Sequence, residues 1–319
     1  MLEDYVFEPQ AVTLENLSYL SREQSALAEQ RILEISDIAS DAASLSLELF
    51  SLGLGAIEIL TYISSGAQFG ELPSHDSPLL ENLSGISSYL GSLREYDKAI
   101  FAESYLKRML DRGIALGEES FLSPTVLDRG LVTYVRNSYS DEAYDVLSEP
   151  LDDARVRYSK DFRECARAVS EGDADFCILP LEERGGARLQ VVEQLLYRYD
   201  LKINSVTPVF GPDGNADVKY ALISKGFTIH PFAEGDDRYL EVRLPETSAA
   251  DIGALLGAAA HFGMTLYRVN TVLYDGEGGA SPHFSLVMRD EGRTFTALLT
   301  YLTLFLPEYI AVGMYKNLE

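Results

Sequence analysis

The first 122 residues carry apolar side chains at helical spacing. Early in this region the apolar positions are Leu14, Leu17, Leu20, Ala26, Leu27, Ile32 and Ile35, which is the period of one helix face. Thr13 is a candidate N-cap, with Glu15 in the first turn of the helix. Further helical runs cover 45–63 and 79–110, the latter with a break expected at Gly85 or Gly91, and the Gly- and Pro-rich segment 65–78 predicts a loop. The pattern therefore predicts a helical bundle over residues 1–122.

The pattern changes near Gly130, where short β-rich runs begin to alternate with helical ones. Strands are predicted at 131–135, 154–158, 175–180 and 218–223, and helices at 162–171 and 189–199. Strands that alternate with helices are typical of an α/β layer with some parallel pairing. We therefore predict a single α/β lobe over residues 123–233, with the strands at 176–179 and 218–223 in one sheet.

The last section, residues 234–319, follows the order strand, helix, strand, strand, helix, strand, which is typical of a ferredoxin-like βαββαβ unit. The acidic stretch 234–237 predicts a linker, and Asp275–Gly279 predicts a hairpin turn. Both helices of this section are apolar, at Ile252, Leu255, Leu256, Leu298, Leu302 and Leu304. Because an exposed apolar face implies a partner surface, we expect a homodimer.

The net charge of the chain limits the classes of binding partner that we expect. The chain has 319 residues and a formal net charge of −24, from 50 acidic and 26 basic residues. Such a surface repels nucleic-acid phosphate and anionic membranes, so neither is expected as a partner, and a small anionic ligand would need a local cluster of Arg or Lys.

Targeting signals and metal-ligand patterns are not evident. The sequence begins without a basic and apolar leader, and the apolar run 45–63 is interrupted by charges and glycines, so we expect a cytoplasmic protein. Two cysteines, Cys165 and Cys177, do not form a disulfide framework. The four histidines are scattered, and we expect neither a metal site nor a cofactor.

One run of the α/β region, FRECARAVSEGDADFCILPLEERGG, resembles the signature of the prephenate dehydratases. In that family a helix precedes a Gly, an acidic residue and a strand that ends in Pro-Ile-Glu-Asn-Ser. The matching residues here are Phe162, Val169, Gly172, Asp175, Leu179, Pro180 and Glu182, and Tyr134, Tyr139 and Ser140 resemble the family's first strand and its Tyr-Ser turn. The tail resembles the ACT domain that follows in many family members, and Val312–Tyr315 resembles its usual Leu-Gly-Ser-Tyr ending. The resemblance covers about 130–319 and implies a link to aromatic amino-acid biosynthesis, that of phenylalanine.

The sequence departs from the family where the chemistry is expected. The family expels water and carbon dioxide from prephenate, which needs a proton donor and cations for two carboxylates. At the family's Thr-Arg-Phe motif this chain has Val218, which donates nothing, then Lys219, which lacks the guanidinium fork, and Tyr220.

Further departures follow Glu182. The Asn and Ser of the family motif are replaced by Glu183 and Arg184, and a new carboxylate would repel a dianionic substrate. The family places a second lobe before its Thr-Arg-Phe motif, whereas only the segment 204–217 is available here, which we interpret as a loop. We therefore predict that the cleft is missing and that Glu182, Lys219 and Arg184 lie on a solvated surface.

The ACT resemblance implies a candidate effector site. It places the family's two effector motifs at Ala250, Asp251 and Ile252 and at Asn270 and Thr271, so a small aromatic amino acid or a chorismate-pathway metabolite is a candidate ligand. The alternative is a purely structural, dimerising domain. The helical region could also be a degenerate relative of the chorismate mutases, although before Lys98 it offers only Arg22, Arg31 and Arg94 to hold a dianion.

Three hypotheses remain open at this point. The first is a catalytically inactive regulatory or partner subunit related to prephenate dehydratase. The second is an active prephenate dehydratase with an atypical site, and the third is a helical scaffold whose α/β parts only dimerise. Val218 and the missing lobe favour the first over the second.

Overall fold

The structure, a computed structural model, describes residues 14–66, 77–124, 130–151, 153–228, 237–276, 279–290 and 294–318. The candidate N-cap Thr13, most of the predicted loop 65–78 and most of the predicted linker 234–237 lie outside the described residues.

Four helices form the first third of the described chain. They are α1 (Leu14–Ser51), α2 (Ala56–Ser65), α3 (Ser77–Ser92) and α4 (Glu95–Asp111). The predicted single run 45–63 is wrong, because Gly53 adopts a left-handed conformation (φ 88°) that separates α1 from α2. The break that we predicted at Gly85 or Gly91 occurs later in the chain, because α3 ends at Ser92. A hydrogen bond of 2.8 Å between the hydroxyls of Ser46 and Tyr105 joins α1 to α4 inside the core.

The α/β region contains β1 (Leu131–Tyr134), α5 (Ser138–Leu147), β2 (Arg155–Tyr158), α6 (Phe162–Glu171), β3 (Phe176–Glu183), α7 (Gln190–Arg198), β4 (Lys202–Phe210) and β5 (Ala216–Ser224). The prediction that the strands at 176–179 and 218–223 share one sheet is confirmed, because β3 and β5 are antiparallel neighbours, with Cys177 opposite Ile223. The interpretation of 204–217 as a loop is wrong. Most of this segment belongs to β4 and β5, which pair directly and are joined by a short turn, so their backbone groups are satisfied in a hairpin.

The last region contains β6 (Arg238–Pro245), α8 (Ile252–His261), β7 (Met264–Gly276), β8 (Gly279–Asp290), α9 (Thr296–Phe305) and β9 (Ile310–Asn317), with a short 3-10 helix over Glu246–Asp251. Its strands lie side by side in the order β9-β6-β8-β7. The assignment of this unit as an ACT domain stays a prediction.

One sheet runs through the described residues of both regions. Its nine strands have the order β2-β1-β3-β5-β4-β9-β6-β8-β7, and the two halves meet where β4 and β9 pair in parallel, with Ile203 opposite Gly313. A Cβ atom on Gly313 would lie 2.8 Å from the Cβ of Ile203, so only glycine permits this approach. The mixed α/β class is confirmed, and the predicted domain boundaries at 122/123 and 233/234 stay predictions.

The amino-terminal helices pack on α8 and α9. One hydrophobic cluster extends from α1 through α9 to the strands beneath, and Leu255, Leu298 and Leu302 are fully buried in it. Helices α2 and α4 contact α9, and α4 also contacts α8. The apolar faces that led us to expect a homodimer are therefore covered within one chain. The homodimer stays a prediction, but these faces no longer support it.

None of the described helices combines the length and the apolar character that a membrane span requires.

Candidate functional site

The positions of the family motifs come together on β3 and β5. Glu183 lies opposite Val218, Glu182 opposite Lys219 and Pro180 opposite Tyr220. Val218 is half-buried and Tyr220 is buried against an apolar cluster. The Nζ atom of Lys219 lies 3.5 Å from Oε2 of Glu182. The pairing therefore satisfies Lys219 with a carboxylate of the chain itself.

Glu182 is a buried carboxylate, and its interpretation as solvated surface is wrong. It is 4% exposed, accepts hydrogen bonds from both terminal nitrogens of Arg268, one at 3.0 Å, and lies 3.5 Å from Nε of Arg188. Burial alone would raise its pKa, but the hydrogen bond from Arg268 and the positive charges of Arg188, Lys219 and Arg268 hold the pKa below its ordinary value. The carboxylate is thus ionised and fully engaged within the protein.

Arg184 does lie at the surface. Its side chain is 59% exposed, and it pairs with Asp213 and, at 3.4 Å, with Asp217. Its charge is offset by these two carboxylates of the β4–β5 hairpin.

A network of buried charges lies between α7 and the face of the sheet opposite α8 and α9. Strand β6 alternates strictly, so Leu240, Val242 and Leu244 enter the helical core, while Glu241 and Arg243 point to the other face. Helix α7 and the loop before it cover that face and contribute Glu193 and Arg188. The side chains of these four charged residues are at most 5% exposed.

The contacts within this network are short. Nη2 of Arg188 donates to Oε2 of Glu241 at 2.5 Å, and Nη2 of Arg243 donates to Oε2 of Glu193 at 2.6 Å. The hydroxyl of Ser285 donates to the other oxygen of Glu241 at 2.8 Å. Charged groups withdrawn from water to this degree are stable only when they are paired in this way.

The pKa of Glu193 is raised. Burial is the largest cause and the nearby carboxylate of Glu241 adds to it, while Arg188 and Arg243 oppose the shift. Burial likewise raises the pKa of the Tyr315 hydroxyl, which lies 3.5 Å from Nη2 of Arg188. The pKa of Glu182, which lies beside Arg188, is therefore lowered, and the pKa of Glu193 is raised.

Several buried polar atoms of this network have no hydrogen-bond partner. They are Nε and Nη1 of Arg188, Oε1 of Glu193 and Nε of Arg243. The hydroxyl of Tyr274, whose ring centroid lies 4.9 Å from the guanidinium carbon of Arg243, is also unsatisfied. Leaving a buried polar group unsatisfied costs about 1–3 kcal/mol. Two of these residues, Arg188 and Glu193, are among those that line a cavity of about 430 Å³, together with Ala187, Gln190, Asn270, Thr271, Val272 and Leu273. Its size and its polar wall suit a small polar molecule.

The two halves of the predicted effector site are separated. Asn270 and Thr271 line the cavity beside α7. Ile252 instead packs against the helical core on the other side of the sheet, Asp251 ends the 3-10 helix before α8, and the side chain of Ala250 lies outside the described part. Asn270 and Thr271 of the predicted site thus line the cavity, and their role in binding an effector stays a prediction. Sequence reasoning missed Arg188 and Glu193, because nothing in the local pattern of α7 shows that a second sheet face covers them.

Metal ligation finds no support in the described ranges. They contain no group of three or more His, Cys, Asp or Glu side chains arranged to hold a metal ion.

Comparisons with known proteins found similarity among solved structures. No protein-family model matches the chain, and no curated protein matches its sequence. The prephenate dehydratase of Streptococcus mutans is 13% identical, with a TM-score of 0.47 over 59% of this chain and 99% of that one. GqqA, described as a novel type of quorum quenching acylase, is 19% identical, with a TM-score of 0.44 over 58% of this chain and 94% of that one. The prephenate dehydratase of Arthrobacter aurescens in complex with L-Phe is 13% identical, with a TM-score of 0.42 over 58% and 89%.

Proposed function

We propose that this chain is a catalytically inactive relative of the prephenate dehydratases that acts as a regulatory or partner protein of phenylalanine biosynthesis. The proposal rests on the two residues that occupy the motif positions on β5, Val218 and Lys219. Val218 offers no proton to a leaving hydroxyl, and Lys219 already pairs with Glu182 at 3.5 Å. At these two positions a dianionic substrate would find neither the proton donor nor the free cation that its dehydration and decarboxylation require.

The β4–β5 hairpin supports the same conclusion. The resemblance to the family leads us to expect a second lobe between these strands, yet a short turn around Gly211–Asn215 joins them. Asp213 and Asp217 surround Arg184 there and offset its charge. A substrate with two carboxylates would therefore be repelled from this end of the sheet.

The cavity beside α7 supports a regulatory role. It lies where the α/β region and the last region meet, with Arg188 and Glu193 on one wall and Asn270 on the other. A ligand at this place would contact both regions, and its binding energy could therefore change their junction.

The test is an assay of prephenate turnover by the purified full-length protein. We expect no formation of phenylpyruvate above the buffer rate. Turnover that co-purifies with the protein and disappears in Lys219→Ala would overturn the proposal.

A second assay addresses the regulatory role. The protein is added in increasing ratio to an active prephenate dehydratase from the same source, and the KM and kcat of that enzyme are measured. We expect a saturable change in one of them. A flat titration would instead favour the structural scaffold.

A further inference from the structure

We infer that a cavity between α6 and α7 binds a small organic anion that joins a single carboxylate to an apolar body. This α6–α7 cavity lies apart from the motif positions on β3 and β5, so ligand binding there does not depend on the proposed function. Its volume is about 400 Å³, which falls within the usual range for small-molecule sites, roughly 300–1,000 Å³.

The first support is a pair of arginines that line the cavity. Arg163 lies in the first turn of α6, and Arg198 lies in the last turn of α7. Within the described ranges, neither guanidinium group forms a hydrogen bond or an ion pair with another residue. Two cations on different helices therefore border one cavity with unused hydrogen-bond donors, although the chain has 50 acidic residues for 26 basic ones.

The second support is the charge of the neighbouring chain. The segment 155–167 contains five basic residues and two acidic ones, in a protein whose formal net charge is −24. Arg155 and Arg157 lie on β2, at the edge of the sheet, and Lys160 lies between β2 and α6. This part of the surface therefore offers the local cluster of cations that a small anion needs on so acidic a chain.

The third support is the match between the charge of the cavity wall and one carboxylate. The wall contains the guanidinium groups of Arg163 and Arg198 and the carboxylate of Asp161. Asp161 is the N-cap of α6, and its Oδ1 accepts a hydrogen bond from the backbone N–H of Glu164 at 2.8 Å. The wall thus carries one net positive charge, which a single carboxylate neutralises. The planar fork of a guanidinium group also fits the two oxygens of a carboxylate.

The fourth support is the apolar part of the wall. Phe162, Val191 and Leu195 contribute apolar side chains to the cavity. Val191 is 50% exposed and Phe162 is half-buried, so both have apolar surface that a ligand can cover. Because burial of apolar surface favours binding, a carboxylate with an apolar body should bind more tightly than one without it.

The experiment titrates the full-length protein by calorimetry with hexanoate and with hydrocinnamate, which carry an aliphatic and an aromatic body on a carboxylate. Acetate lacks the body, and hexanol lacks the charge. We expect at least one of the two larger carboxylates to bind, and acetate and hexanol to bind at least about tenfold more weakly. No binding of either larger carboxylate, or equal binding of acetate or hexanol, would overturn the inference.

Variants of the two arginines locate the carboxylate. Arg163→Gln and Arg198→Gln each remove one unpaired cation, and each should raise the Kd at least about tenfold. Arg167→Gln is the matched control, because it removes the same charge one turn further along α6, outside the cavity wall, where Arg167 pairs with Glu171 at 3.9 Å. The control should leave the Kd within about twofold.

Two outcomes of this series contradict the site. An equal rise of the Kd in all three variants would show only a diffuse effect of charge, and an unchanged Kd in Arg163→Gln and Arg198→Gln would place the carboxylate elsewhere. All three arginines are exposed, so the variants should fold as the natural chain does, which their melting temperatures check.

Val191→Ser tests the apolar wall without a change of charge. It should raise the Kd of the bound carboxylate by about threefold, since it removes apolar surface that the ligand covers. Val156→Ser, at an exposed position of β2 outside the cavity, is the matched control and should have no effect. Equal Kd values in the two variants would show that the apolar body does not lie against α7, contrary to the inference.

Discussion

At the scale of the residue, Arg243 shows how much the buried network depends on complete pairing. Its side chain is 2% exposed, and it donates to Glu193 at 2.6 Å. Arg243→Met would leave a carboxylate buried without that partner, and removing one member of a buried pair costs about 3–5 kcal/mol. We expect a loss of this size in the free energy of unfolding, measured by urea titration of the full-length chain.

The double variant Arg243→Met with Glu193→Leu is the control for this prediction. Replacement of both charges by apolar groups of similar volume is often neutral or stabilising, so most of the lost stability should return. If the free energy of unfolding of Arg243→Met alone lay within about 1 kcal/mol of that of the natural chain, Glu193 would be satisfied without Arg243.

At the scale of the element, Gly313 determines how two strands of different regions meet. A Cβ atom there would lie 2.8 Å from the Cβ of Ile203 and 3.1 Å from its carbonyl oxygen. Neither atom is the end of a flexible side chain, so the strands β4 and β9 would have to move apart. Gly313→Ala should therefore destabilise the chain by about 1–3 kcal/mol in urea titration.

Gly257→Ala is the matched control, since it adds the same methyl group within α8. Nothing lies within 4 Å of the added atom there, and alanine favours a helix interior by about 1 kcal/mol over glycine. The two substitutions should thus change the free energy of unfolding in opposite directions. A stabilising Gly313→Ala would contradict the close pairing of β4 and β9.

At the scale of the whole molecule, the helices α1–α4 complete the core of the last region. Leu298 and Leu302 of α9 are fully buried in a cluster that includes Phe101 and Tyr105 of α4. Residues 130–319 produced alone should therefore expose the apolar face of α8 and α9 and self-associate. Sedimentation velocity measures the self-association, and the binding of a hydrophobic dye measures the exposed apolar surface. Both are measured on the fragment and on the full-length chain.

The behaviour of this fragment also tests the predicted domain boundary at 122/123. A monodisperse fragment of native-like circular dichroism would show that the last two regions fold without the helices. Self-association would show that the boundary at 122/123 separates segments of sequence that share one core.

Periodicity predicted much of the fold. The alternation of strands and helices after Gly130, the βαββαβ order of the last region and the placement of β3 and β5 in one sheet all agree with the structure. The type and the order of the elements are local features, because the spacing of apolar residues reports which face of an element is buried. The break at Gly53 and the strand character of 204–210 were missed, since a single left-handed glycine and the partner of a strand leave little trace in such a pattern.

By itself the sequence determined the chemistry that each position can offer. It determined that Val218 donates no proton and that Glu183 and Arg184 stand where the resemblance places the family's Asn and Ser. Only the tertiary structure decided what covers each face. It buried Glu182 among cations, laid Arg188 and Glu193 against the sheet, and covered α8 and α9 with α2 and α4. The physical reason is that burial of a charge or of an apolar face depends on residues distant in sequence, whereas periodicity describes one element at a time.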